Sequence, residues 1–270
     1  MSRLASTFAA LRTQGRRALI PFLMAGDPTL DATAAFLDCF ASSGADVLEI
    51  GVPFSDPIAD GPINQRAARR ALAGGTSLRD VLDLAARVRP RLEQPIVILS
   101  YYNPILRLGL EAFSRRAANA GVDGVVVPDL PPEEGDPLRA AARPNGLDVI
   151  FLAAPTSTDE RLARVAASSR GFIYCVSLTG VTGVRDDVAA DVGGLVARLR
   201  RHTDLPICVG FGVSTPEHAR QVAGVADGVI VGSAIVSVIE QGGAAAVPAL
   251  AEFVRALRAG VDAADGAGGS

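Results

Sequence analysis

The feature that most constrains the fold is an alternation. A short apolar run is followed by an amphipathic stretch, eight times over in 270 residues. The runs are "ALIPFLMAG", "ADVLEIGVP", "PIVILSYY", "GVVVPDL", "DVIFLAAP", "GFIYCVS", "PICVGFG" and "DGVIVGSA". Each has strand length and is bounded by Gly, Pro or Asp. The stretches between them carry helical spacing, for example "LDATAAFLDCFASSG" and "TSLRDVLDLAARVRPRL". The fourth, "PPEEGDPLRAAARPNG", is interrupted by Gly and Pro and predicts only a short helix. Strands separated by helices pair in parallel, because parallel neighbours need crossover connections. Eight such units close into a ring with no free sheet edge. The expected fold class is therefore α/β, a single (β/α)8 TIM barrel over residues 1–270. An open doubly wound sheet for dinucleotides would place G-x-G-x-x-G after the first strand. This chain has "MAGDPTLDAT" there, and no stretch reads as a linker.

The first 16 residues predict an additional helix, with Leu4, Phe8 and Leu11 on one face. The segment has no acid before Asp27 and is rich in Ser and Arg, so a transit peptide is the competing reading. The last ten residues, 261–270, are small and polar and predict a disordered tail. A net charge of −3 offers no basic surface to nucleic acid. No apolar stretch is long enough for a membrane span. Cys39, Cys175 and Cys208 show neither metal spacing nor a disulfide framework, which points to a reduced, cytoplasmic protein. All 26 Lys-plus-Arg residues are arginine. A lysine Schiff base within this chain, a lysine-anchored pyridoxal phosphate and a P-loop lysine are thereby excluded. With only His202 and His218, a multi-histidine metal site is disfavoured. Carboxylates are left as the leading acid–base groups.

In such a barrel the active site forms at the carboxyl ends of the strands. Strand two ends in "LEIGVPFSDPIADGP", which puts Glu49 inside an apolar run and Asp60 eleven positions later on the following loop. A buried acid is costly unless paired or neutral. Glu49 is thus either a structural partner of an arginine or a functional group. About 25 residues separate this strand from the helix resuming at Leu78, a length typical of functional loops; "INQRAARRAL" reads as a short helix within it. A second long loop, "SLTGVTGVRDDV", follows strand six. Asp27 and Asp129 adjoin prolines or turns and read more simply as turn residues. Strands seven and eight end in "GFGVST" and "GSA". Glycines there, with helix N-termini behind them, either make tight turns or cradle a phosphate.

"LEIGVPFSDPIADGPINQ", "SYYNP", "GVVVPDLPPEE", "GVTG", "GFGVSTPEH" and "VIVGSAIV" together resemble the tryptophan synthase alpha chain family. The likeness runs in the family's order over about residues 17 to 258. It implies a lyase that splits indole-3-glycerol phosphate into indole and glyceraldehyde 3-phosphate with no metal or organic cofactor. Glu49 and Asp60 match its catalytic carboxylates. Phe22, Leu99, Tyr101, Val126 and Tyr174 match the indole pocket. Gly183, Gly212, Gly232 and Ser233 match phosphate ligands, and Thr182 matches a closing loop. The resemblance further implies a beta chain partner in an α2β2 heterotetramer, with Pro53 and Asp56 near the contact.

The chemistry so implied begins with protonation of indole C3 by a neutral Glu49. An ionised Asp60 stabilises the positive ring nitrogen and can take its proton. Glu49 as carboxylate then removes the side-chain hydroxyl proton as the carbon–carbon bond breaks. Two acids in opposite protonation states need different surroundings. The chain departs from the family pattern at Met24, where many relatives have threonine. It departs again at Val126, where some have leucine, and at Leu178 and Thr179, where many have Arg-Ala. The competing functions are a stand-alone lyase without a partner, a non-catalytic regulatory alpha-like subunit, and another phosphosugar enzyme on the same barrel.

Overall fold

The computed structural model describes residues 2–176, 187–210 and 212–264. Its strands are β1 (Ala18–Met24), β2 (Leu48–Gly51), β3 (Ile96–Leu99), β4 (Gly124–Val126), β5 (Asp148–Ile150), β6 (Leu152–Ala153), β7 (Ile173–Cys175), β8 (Ile207–Gly210) and β9 (Gly228–Val231). All pairings are parallel, in the order β5-β4-β3-β2-β1-β9-β8-β7-β6. Nine strands replace the expected eight because the fifth is divided at Phe151. Its first half pairs with β4 and its second with β7. Phe151 bridges the halves: its N–H donates to Ser169 Oγ at 3.3 Å and its carbonyl accepts from the Tyr174 N–H at 3.2 Å. The ring closes through this one residue, giving the TIM barrel.

Alternation along the strands sorts side chains into two cores. Leu48, Ile50, Ile96, Ile98, Val209 and Val231 pack with the surrounding helices, alongside Phe36, Phe40 and Leu82. Val47, Val97, Val126, Ile150, Cys208 and Ile230 face the barrel axis. Strands buried on both faces read as continuous apolar runs, which explains the pattern of the sequence. The helix Arg3–Thr13 closes the lower end of the barrel with Leu4, Phe8 and Leu11, all part of the axial core. Phe8 meets Phe172 at 5.7 Å between ring centroids. Ser2 caps this helix and donates to Asp148 Oδ2 at 2.6 Å, while Arg3 reaches Asp123 at 2.6 Å. Residues expected to form either an additional helix or a transit peptide are therefore built into the core as a helix.

The short helix expected at "INQRAARRAL" in the stretch after β2 is present as Pro62–Ala73 and takes up about half of it. "DPLRAAA" forms a seven-residue helix, Asp136–Ala142, as its breakers require. Of the tail expected over 261–270, the first two residues belong to a helix and 265–270 lie outside the described residues. The last helix, Val247–Asp262, keeps Val261 fully buried, and Asp262 accepts from Arg258 at 2.6 Å. The second long loop, with Thr182 and Gly183, lies outside the described residues. Among the described residues no helix is long and apolar enough to cross a membrane. Phe8→Ala should lower the unfolding free energy by about 3 kcal/mol, because it leaves a cavity at the barrel base; urea unfolding monitored by circular dichroism measures it.

Candidate active site

At the carboxyl ends of the strands lies a cavity of about 570 Å³. Phe22, Asp60, Leu99, Val126, Tyr174, Gly212, Gly232 and Ser233 line it, all of them expected from the sequence. Glu49 and Tyr101 stand behind that lining. Leu48 and Ile50 face the outer helices, so strand alternation turns Glu49 toward the barrel axis beside its register partner Phe22. Glu49 is 1% exposed, and neither carboxyl oxygen has a hydrogen-bond partner among the described residues. Among the described residues it is therefore not the structural half of an arginine pair. Burial, reinforced by the charge of Asp60, pushes its pKa up to about 8. Its own charge in turn raises the Tyr174 phenol, which burial already holds well above its ordinary value.

Asp60 occupies a different environment. Burial raises its pKa, but hydrogen bonds from Tyr101 and Asn64 oppose the rise. The Tyr101 hydroxyl donates to Asp60 Oδ2 at 3.1 Å and accepts from the Ala59 N–H at 2.9 Å. Gln65 Nε2 donates to the Asp60 carbonyl at 2.9 Å. The Tyr101 ring stacks on Phe54 at 5.3 Å. Tyr101, expected in the pocket wall, stands outside the cavity lining and fastens the loop that carries Asp60. Among the described residues Glu49 has no donor whereas the Asp60 carboxylate has the Tyr101 hydroxyl, and this separates their proton affinities.

The helix following Asp60 is held by a network the sequence reading missed. Arg70 forms a two-point ion pair with Asp27, at 2.7 and 2.8 Å, and also reaches Glu240 at 2.7 Å. Arg66 binds Glu240 through two contacts of 2.8 Å. The hydrogen bonds from Arg66 and then Arg70 lower the Glu240 pKa to about 2. Asp27, read as a turn residue, is a buried anchor. The one available signal was the i, i+4 spacing of Arg66 and Arg70 on a helical pattern. Asp129 does act locally, accepting from the Tyr102 N–H at 2.9 Å.

Glu240 sits on the helix Ser233–Gly242, whose start faces the cavity at Gly232 and Ser233. No side chain caps this helix, so its first N–H groups remain available to an anion. Gly212 has φ +60°, a conformation that favours glycine. At Gly210 a Cβ would fall 2.6 Å from the Tyr174 hydroxyl oxygen, so glycine is what lets Tyr174 occupy the cavity wall. Pro53 is buried, whereas Asp56 and the tip residue Ile58, 84% exposed, face outward.

A closed parallel barrel with this cavity at the carboxyl ends of its strands defines a (β/α)8-barrel enzyme. The family model described as tryptophan synthase alpha chain matches residues 8–262. The tryptophan synthase alpha chain of Geobacter sulfurreducens is 54% identical over 259 residues, covering 96% of this chain and 98% of the relative. Among solved structures, tryptophan synthase subunit alpha from Legionella pneumophila superposes with a TM-score of 0.91 at 36% identity, covering 97% of this chain and 99% of that one. A Mycobacterium tuberculosis tryptophan synthase structure gives 0.89 at 42% identity, covering 96% and 98%. The chain belongs to the tryptophan synthase alpha chain family. It is a carbon–carbon lyase that cleaves indole-3-glycerol phosphate.

The buried glutamate leaves a mark on stability. A carboxyl whose folded pKa lies above its unfolded value binds more protons when folded, so its contribution is lost as pH rises from the unfolded toward the folded value. Glu49→Gln removes that liability. The variant should gain on the parent progressively between pH 5 and pH 8, reaching roughly 3–5 kcal/mol; denaturation midpoints across that range provide the check.

Proposed function

We propose that Glu49 and Asp60 carry out the cleavage of indole-3-glycerol phosphate, and that indole then passes to a beta chain for tryptophan synthesis. The observation that carries this reading is the Glu49 carboxyl: buried, without a partner among the described residues, and raised to about 8 beside an aspartate that has donors. A neutral glutamate at pH 7 can give a proton to indole C3, which makes the ring an electron sink. Asp60, kept anionic by its hydrogen bonds, faces the cationic ring nitrogen. The Glu49 carboxylate so formed takes the proton of the hydroxyl on the carbon attached to C3. That carbon becomes an aldehyde, the electron pair of the broken bond returns to the ring, and indole is restored. Glu49 ends with the proton it began with. Each positioned group contributes on the order of 10²–10⁴-fold.

Phe22, Leu99, Val126 and Tyr174 supply flat, apolar contact for the ring. Gly212, Gly232 and Ser233 offer backbone donors to the phosphate. Tyr101 positions Asp60 from behind. Thr182 and Gly183, outside the described residues, complete the proposed set by resemblance alone. The loop carrying Asp56 and Ile58 serves as part of the beta-chain contact in an α2β2 assembly, with buried Pro53 shaping it. Covering Ile58, 84% exposed, would remove apolar surface from water. The enzyme acts in the cytoplasm.

Purified chain supplied with indole-3-glycerol phosphate should release indole, and added beta chain should raise the rate several-fold. No indole with either arrangement would leave a regulatory subunit as the better reading. Glu49→Gln should abolish cleavage while an uncleavable indole phosphate analogue still binds; loss of binding as well would make Glu49 structural. Asp60→Asn should reduce turnover by roughly 10²-fold or more. Since Glu49 acts as the acid, kcat/KM should fall as pH rises through about 8. A profile flat through pH 9 would contradict that role.

A further inference from the structure

Two helices begin in the cavity wall and are joined farther along their length. Pro62 and Ile63, at the start of the helix Pro62–Ala73, line the cavity beside Asp60. Ser233, at the start of the helix Ser233–Gly242, lines it beside Gly232. Glu240 stands seven positions after Ser233, and Arg66 and Arg70 stand six and ten positions after Asp60. Glu240 accepts from Arg66 at both oxygens, at 2.8 Å each, and from Arg70 at 2.7 Å. The other contacts of Arg70 go to Asp27, which is 3% exposed. The same two helices also pack directly. Ala67, Ala68 and Ala71 of the first and Val236 of the second form, with Phe22 and Met24 of β1, a hydrophobic cluster separate from the two larger cores. Rigid helices joined by packed side chains and ion pairs carry a displacement from one end to the other.

We propose that Glu240 is a positioning residue: through Arg66 and Arg70 it ties the helix whose start receives the substrate phosphate to the helix that follows Asp60, so that phosphate contact at Ser233 fixes the placement of Asp60. This rests on the lyase reading and on its phosphate end. Glu240 does not line the cavity, so it acts through its two arginines and not on the substrate. Binding energy from a part of the substrate that does not react can be used to orient a group that does. Partly exposed ion pairs add little to stability. A two-point contact nevertheless fixes an orientation, and the three contacts on Glu240 hold both turns of the Asp60 helix that face it.

The test compares the parent with Glu240→Gln on two substrates, indole-3-glycerol phosphate and indole-3-glycerol, which lacks the phosphate. The parent should cleave the phosphorylated substrate with the higher kcat. In Glu240→Gln that kcat should fall roughly tenfold with no rise in KM, while the rate on indole-3-glycerol stays unchanged. A link that only held the helix in place would lower both rates alike, and a lost phosphate contact would raise KM. Arg66→Gln should show the same pattern. Adding it to Glu240→Gln should lower the rate no further, because both act through one contact. Equal losses on both substrates, an unchanged kcat or a raised KM on the phosphorylated one, or a parent indifferent to the phosphate overturns the proposal. Thermal melting confirms that each variant is folded. Should Glu240→Gln be insoluble, Arg66→Gln gives the same readouts. Failure of the parent itself to release indole would instead refute the lyase reading.

Discussion

The site depends on one cost: a glutamate is held in an apolar strand end with no cation and no donor among the described residues beside it. Water would solvate the charged form of Glu49 far better than this site does, so the protein keeps the proton on. The barrel supplies the means. Both faces of β2 are covered, and a side chain directed to the axis lies among Phe22 and its neighbours. The same desolvation that weighs against folding at alkaline pH gives the residue, in the proposed mechanism, a proton to donate near neutrality. Stability and chemistry are set against each other at a single carboxyl.

Asp60 requires the opposite treatment, and the loop provides it. Tyr101 and Asn64 present donors, and Gln65 secures the backbone. Behind them, Arg66 and Arg70 join the helix after Asp60 to the end of β1 and to the helix that opens at Gly232. The proposed acid–base end and the proposed anion end of the cavity therefore share one scaffold. The partly exposed arginines contribute less to stability than their number suggests. Their value is geometric: a two-point guanidinium–carboxylate contact fixes an orientation as well as a distance.

Much of this was legible in the chain. The alternation of eight apolar runs with helices, the inward helix face of Leu4, Phe8 and Leu11, and the grouping of Phe22, Asp60, Leu99, Val126, Tyr174, Gly212, Gly232 and Ser233 at one cavity all follow from local pattern or motif. Other features were not legible, for definable reasons. The division of the fifth strand at Phe151 depends on closing a ring of fixed size, which no local window encodes. The place of Tyr101 outside the cavity lining depends on where Phe54 and Ala59 come to rest. Asp27 looked like a turn residue because its partner, Arg70, is 43 positions away. The helix ending at Asp262 looked like a tail because "VDAADGAGGS" is small and polar, and only packing shows Val261 buried.

Sequence by itself determined the fold class, the chemistry excluded by the absence of lysine, and which two carboxylates stand in a suspicious context. Those properties belong to residue types and their spacing, which are complete before folding. Tertiary structure decided which acid holds a proton. Proton affinity in a protein is set by the water that is removed and by the donors that replace it. Glu49 loses the first without receiving the second, whereas Asp60 receives Tyr101 from beyond β3 and Asn64 from the next helix. Those surroundings are assembled from distant segments, so they exist only once the barrel has closed.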